Sequence, residues 1–129
     1  MKKRMVVLFA TLLLLAGSFG TGLAEYVTET IDSNGTWTES IMCPKGDSVN
    51  ISINPDTSPV MTITLQCKMP GETTWGDHNT DTWILTAAST DQEYITEPAP
   101  EYVHYRIGCD AVADYTSGNC TVRLGRDNY

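Results

Sequence analysis

The sequence predicts an all-β fold: a single antiparallel β-sandwich, jelly-roll-like in character, with two disulfides, preceded by a hydrophobic leader. Three observations predict it. Apolar and polar residues alternate in several short runs, which is the period of a strand. Turn-forming residues recur between those runs, and no stretch after the leader sustains a helical period. All four cysteines, Cys43, Cys67, Cys109 and Cys120, lie beyond the leader.

The leader comes first. Met1-Lys2-Lys3-Arg4 is basic, residues 5–16 form an apolar run broken by one Thr, and small residues lead to Gly22-Leu23-Ala24. That order describes a secretory signal peptide cut after Ala24. The competing reading is a retained membrane anchor, but a spanning helix needs roughly 20 apolar residues and this run is shorter. Residues 1–24 are therefore expected to be a cleaved signal peptide and residues 25–129 one β-sandwich domain, secreted or displayed at a cell surface with no stable membrane anchor. The remaining 105 residues (129 less 24) suffice for one hydrophobic core.

The leader holds three of the eight basic residues and none of the sixteen acidic ones, so the domain carries five basic against sixteen acidic side chains, a net of −11. Such a surface repels phosphate backbones, which argues against a nucleic-acid partner, and it suits neither anionic lipid.

The strand elements follow in order. Thr36 to Cys43 is expected to form a strand, with Trp37, Ile41 and Cys43 on one face. In Val49-Asn50-Ile51-Ser52-Ile53-Asn54, and again in Met61-Thr62-Ile63-Thr64-Leu65-Gln66-Cys67-Lys68-Met69, the odd positions are apolar or Cys and the even ones polar. Pro55-Asp56-Thr57-Ser58-Pro59 between them has turn composition, so the pair reads as a hairpin. Further strands are expected around Trp83 and at Tyr94-Ile95, and Glu97-Pro98-Ala99-Pro100 breaks the chain. Val103, Tyr105, Ile107 and Cys109 alternate with polar or small residues, as do Cys120, Val122 and Leu124. Thr116-Ser117-Gly118-Asn119 precedes Cys120, and this reads as a second hairpin.

An even number of cysteines in a small exported domain reads as disulfides. No two of them have the tight C-x₂₋₄-C spacing of a zinc site, and no metal is expected from them. The preferred pairing is Cys43–Cys67 with Cys109–Cys120, the latter linking the strands of the last hairpin. The alternative is Cys67–Cys109 with Cys43–Cys120, in the manner of an immunoglobulin domain. That pattern has a Tyr two residues before its second Cys, where this chain has Ile107.

Several segments resemble, in order, a group of small β-sandwich structural proteins of tailed bacteriophages and prophages. They are Thr62-Ile63-Thr64-Leu65-Gln66, Gly71-Glu72-Thr73-Thr74-Trp75, Glu97-Pro98, Tyr105-Arg106-Ile107-Gly108, Asp114-Tyr115-Thr116-Ser117-Gly118 and Val122-Arg123-Leu124-Gly125, spanning about residues 60–125. The resemblance implies a virion or particle-surface component without catalysis, and hence no active-site residues. The leader and the cysteines depart from that group and move the expected working place from a capsid to the outside of a cell.

Asp77-His78-Asn79-Thr80-Asp81 opens like a calcium loop, but the sixth and twelfth places of an EF-hand loop are here Thr82 and Ala88, not Gly and Glu. Calcium between loops is the one cofactor the residues allow; otherwise the segment is a solvated loop. Trp37, Trp75 and Trp83 could stack on sugar rings or plug the core; Trp75, beside a Gly/Thr turn, is the exposed candidate and Trp83 the core one. The candidate ligand set is thus Trp75, Asp77, Asn79 and Asp81. Asn34, Asn50 and Asn119 stand in N-x-S/T triplets. There is no G-x-S-x-G, H-E-x-x-H or phosphate loop, so no enzyme is expected, a carboxylate-pair hydrolase ranking last. The expected function is a non-enzymatic structural or assembly module of an extracellular or particle surface, with protein partners or self-assembly. The alternative is a secreted carbohydrate- or receptor-binding domain with a surface glycan as ligand.

Overall fold

In a computed structural model of the chain, residues 26–110 and 112–127 are described. The leader expected at residues 1–24 lies outside them. The described chain is an all-β antiparallel sheet of seven strands, curled until it is nearly barrel-like. The strands are β1 (Tyr26–Ile31), β2 (Ile41–Cys43), β3 (Ser48–Lys68), β4 (Gly76–Leu85), β5 (Gln92–Ile95), β6 (Val103–Gly108) and β7 (Tyr115–Asp127), with one 3₁₀ turn, Val112–Asp114, before β7. No helix among the described residues is long and apolar enough to cross a membrane.

β3 organises everything. Its first part pairs with β7 on one side and β5 on the other; its second part pairs with β6 and β4. One half of the sheet is therefore β1-β7-β3-β5 and the other β2-β6-β3-β4. On either side of its kinked middle the odd residues of β3 point inward, so Val49, Ile51 and Ile53 from one half and Ile63 and Leu65 from the other enter one core, joined by Val122 and Leu124 of β7. Each such side chain contributes roughly 1.5–3 kcal/mol by leaving water.

Both expected hairpins are corrected by this topology. Residues 49–54 and 61–69 are not two strands joined by a turn; they are parts of one 21-residue strand. The Pro55–Pro59 segment keeps its pairing with β7 through three register shifts, and Ser58 adopts φ 37°. The turn residues make a kink because a partner strand is available to hold the segment extended. Gly118 (φ 78°) lies against it: a Cβ there would stand 2.7 Å from Pro59 Cα and 2.7 Å from Ser58 O. The second hairpin fails likewise. β6 and β7 pair not with each other but with successive parts of β3, and Thr116-Ser117-Gly118-Asn119 is strand.

The cysteines are inward, as alternation required: Cys43, Cys109 and Cys120 are fully buried and Cys67 packs against the core. All four are free thiols. The preferred Cys43–Cys67 bridge does not fit the register. Cys43 stands opposite Val103 and Cys67 opposite Tyr105, so strand β6 separates them. Two strand spacings make roughly 10 Å, beyond the ~7 Å Cα reach of a disulfide. Cys109 and Cys120 lose the hairpin that was to bring them together.

Candidate functional site

The outer face of the β2-β6-β3-β4 half carries the site. Asp77, Gln66 and Arg106 are lateral neighbours on β4, β3 and β6, all at outward positions. Arg106 donates from Nε (3.0 Å) and Nη2 (2.8 Å) to Gln66 Oε1, and Gln66 Nε2 donates to Asp77 Oδ1 at 3.0 Å. Gln66 is only 5% exposed, so both ends of its amide are satisfied where an unpaired one would be costly.

Two indoles close on this row. Arg106 Cζ lies 4.2 Å from the Trp37 ring centroid and 4.6 Å from that of Trp75. Lys68 Nζ stands 4.9 Å from the Trp75 centroid. A guanidinium stacks on aromatic faces better than an ammonium does, and such contacts are worth about 0.5–2 kcal/mol each. Burial lowers the Arg106 guanidinium from its ordinary value, while Asp110 works in the opposite direction.

Local structure explains how the tryptophans arrive. Gly35 N donates to Cys109 O at 2.8 Å, Cys109 N to Thr36 O at 3.0 Å and Thr38 N to Ile107 O at 2.9 Å, which ties the segment before β2 to the end of β6. Buried Thr38 also accepts from Ile107 N through Oγ1 at 3.1 Å. Trp37 thereby bridges to Gly108, and its ring lies over that residue: a Cβ on Gly108 would run into the Thr36 carbonyl oxygen and stand 2.9 Å from Trp37 Cε3. Trp75 ends the turn after β3, where Glu72 N donates to Met69 O (3.1 Å) and Met69 N to Glu72 Oε2 (2.8 Å).

Of the four ligand candidates, Trp75 and Asp77 belong to this face, whereas Asn79 and Asp81 do not. Two steps along β3, from Thr64 to Gln66, match five along β4, from Thr82 to Asp77, so the intervening residues bulge, with Asn79 at φ 52°. Within the bulge, His78 Nδ1 lies 2.7 Å from Asp81 Oδ2, and Tyr94 OH donates to Asp81 Oδ1 over a long 3.4 Å. The His78 ring meets Tyr105 edge-on at 5.4 Å, and Trp83, half-buried against the core, meets Tyr94 at 5.6 Å. Asp77 and Asp81 thus serve different partners. Among the described residues, no three His, Cys, Asp or Glu side chains converge as a metal site.

Gln66, Lys68 and Arg106 were not among the candidates expected from the sequence, and Trp37 was named there only as one of three tryptophans that could stack on sugar rings or plug the core. Alternation did place Gln66, Lys68 and Arg106 outward; their adjacency needed the β3–β6 pairing, which sequence spacing does not carry.

No protein-family model matches this chain, and no curated protein matches it. Among solved structures it is similar to the crystal structure of Yersinia pseudotuberculosis-derived mitogen, at 14% identity and a TM-score of 0.42, over 82% of this chain and 86% of that one. A likeness of that degree carries no argument about function.

Proposed function

We propose that this chain is an exported, non-catalytic binding domain whose ligand, a carbohydrate or the surface of a receptor, meets the outer face at Trp37, Trp75, Arg106 and Lys68. The observation that carries the reading is the guanidinium held between two half-buried indoles. Rigid aromatic and Arg side chains are what binding surfaces concentrate. The fold behind that face is read as a sandwich with β3 common to both layers, supported by the single core that both halves share. A cysteine nucleophile in particular is disfavoured, since burial pushes the Cys43, Cys109 and Cys120 thiols up, away from the thiolate form. Export rests on the basic, apolar and small-residue order of the leader. A glycan array probed with the secreted protein and with Trp75→Ala tests the reading. Binding that the variant loses is the expected result; binding unchanged in the variant removes this face as the site.

One observation favours the second reading, an assembly module of the kind the phage-group resemblance implies. Ile84 (75% exposed) and Ile95 (58%) stand out on β4 and β5, each of which pairs only with β3 among the described strands. Open strands with apolar outer residues invite pairing. Sedimentation of the wild type and of a double variant, Ile84→Lys with Ile95→Lys, distinguishes it: a wild-type oligomer that the variant dissolves supports assembly, and a concentration-independent monomer rejects it.

A further inference from the structure

We infer that the ligand of this face is an acidic sugar, a pyranose ring bearing a carboxylate, gripped by the free edge of Arg106 between the rims of Trp37 and Trp75. The inference rests on the binding reading above and narrows it. It begins from the in-plane geometry of one guanidinium. Nε and Nη2 both donate to Gln66 Oε1, which uses the side edge of the group and two of its five N–H donors. The end edge, Nη1 with the second hydrogen of Nη2, has no hydrogen-bond partner among the described residues. Its two parallel N–H vectors match the two oxygens of a carboxylate.

The orientation of that edge is fixed before any ligand arrives. The indoles at 4.2 and 4.6 Å hold the plane, and Gln66, itself held by Asp77, fixes rotation within it. A preorganised donor pair binds without the ordering cost of a free Arg side chain. Lys68 adds a second positive charge beside Trp75. Neither cation has a carboxylate within ion-pair distance among the described residues. Asp77 is engaged by Gln66, and Asp110, near enough to favour the charged guanidinium, makes no hydrogen bond to it.

Elsewhere, Arg126 faces Asp47 at 3.7 Å without a hydrogen bond from its Nε, and Arg123 lies over Tyr26 at 4.1 Å. In a domain with a net charge of −11, Arg106 and Lys68 place two cations on one aromatic face. At physiological salt, charges farther than about 8 Å are largely screened, so an adjacent ligand meets these two cations together with the nearby carboxylates of Asp77 and Asp110 rather than the acidic remainder of the domain. The rims of the two indoles add apolar edge contact beside a ring seated against the guanidinium.

The test is titration of the intact secreted domain, followed by nuclear magnetic resonance, with methyl glucuronide against methyl glucoside and with sialyllactose against lactose. Acidic sugars are expected to bind and their neutral counterparts to bind at least tenfold more weakly. Arg106→Lys keeps the charge and removes the fork, and should lose about tenfold or more in affinity for the acidic sugars. Lys68→Ala leaves the Arg106–Gln66–Asp77 row intact and should weaken acidic-sugar binding several-fold, so the inference survives misfolding of the Arg106 variant. Equal binding of neutral and acidic sugars, lost in Trp75→Ala, overturns the acidic ligand and leaves the binding face standing. Wild-type affinity in a folded Arg106→Lys variant also overturns the acidic ligand. Binding of no sugar by the wild type overturns both it and the carbohydrate reading beneath it.

Discussion

Raising the pH from 8 to 10 should destabilise this domain by about 4 kcal/mol through its buried thiols. Cys43, Cys109 and Cys120 are each fully excluded from solvent. Burial is the chief cause that pushes them up from 9.0, to about 11 for Cys43 and Cys109 and about 12 for Cys120. Neighbouring carboxylates add to it: Asp47 at Cys43, Asp114 and Asp110 at Cys109, Asp56 at Cys120. Arg126 opposes the shift at Cys43, and a backbone hydrogen bond from Asn54 opposes it at Cys120. Below pH 8 both folded and unfolded chains keep these protons, and stability does not depend on them. Above 9.0 the unfolded chain releases protons that the folded chain retains, so stability falls as pH rises, and goes on falling until the folded thiols themselves ionise. At pH 10, one unit above the unfolded value, each thiol costs about 1.4 kcal/mol, and three cost about 4 kcal/mol. Against a total of roughly 5–15 kcal/mol for a domain this size, the effect is large. Urea unfolding followed by tryptophan fluorescence at both pH values measures it, and Cys120→Ala should reduce the fall by about a third. An identical urea midpoint at pH 8 and pH 10 would refute the reasoning, and it is also what disulfides in place of thiols would produce.

Other expectations follow from the same packing. Gly108→Ala drives a methyl group into the Thr36 carbonyl and to within 2.9 Å of Trp37 Cε3, so it should cost about 2–4 kcal/mol and expel Trp37 from the Arg106 stack, seen as a red shift in tryptophan emission. Thr38→Val removes the Oγ1 that accepts from Ile107 N in the buried join between Trp37 and β6; a loss of about 1–3 kcal/mol in thermal or urea melts is expected, and an unchanged melt would mean that join is not needed. Iodoacetamide at pH 8 should modify half-exposed Cys67 first and leave the three buried thiols intact, while the unfolded chain should take four adducts by intact mass; fewer than four would reveal a bridge.

Particular residues show where sequence reasoning succeeded and where it could not. Period-two alternation placed Val49, Ile51, Ile53, Ile63, Leu65, Val122 and Leu124 inward, and all are buried. It placed the cysteines on that same side. Trp75 and Asp77 were named from their own segment and do share a surface. The errors concern pairing. Pro55-Asp56-Thr57-Ser58-Pro59 has the composition of a reversal, yet whether it reverses or kinks depends on a partner strand, and β7 accompanies it. The expected Cys43–Cys67 bridge likewise fails because β6 lies between the two residues.

The sequence by itself determined which side of each strand is wet, because the polarity of a side chain and the pleat of an extended chain are both local properties. It determined in the same way the acidic charge and the leader-like start. Only the tertiary structure decided which strands are neighbours, since lateral hydrogen bonds join backbone groups that carry no mark of their partner. Trp37, Arg106, Gln66 and Asp77 stand 69, 40 and 11 positions apart in the chain, yet they meet in one row because β6, β3 and β4 lie side by side there.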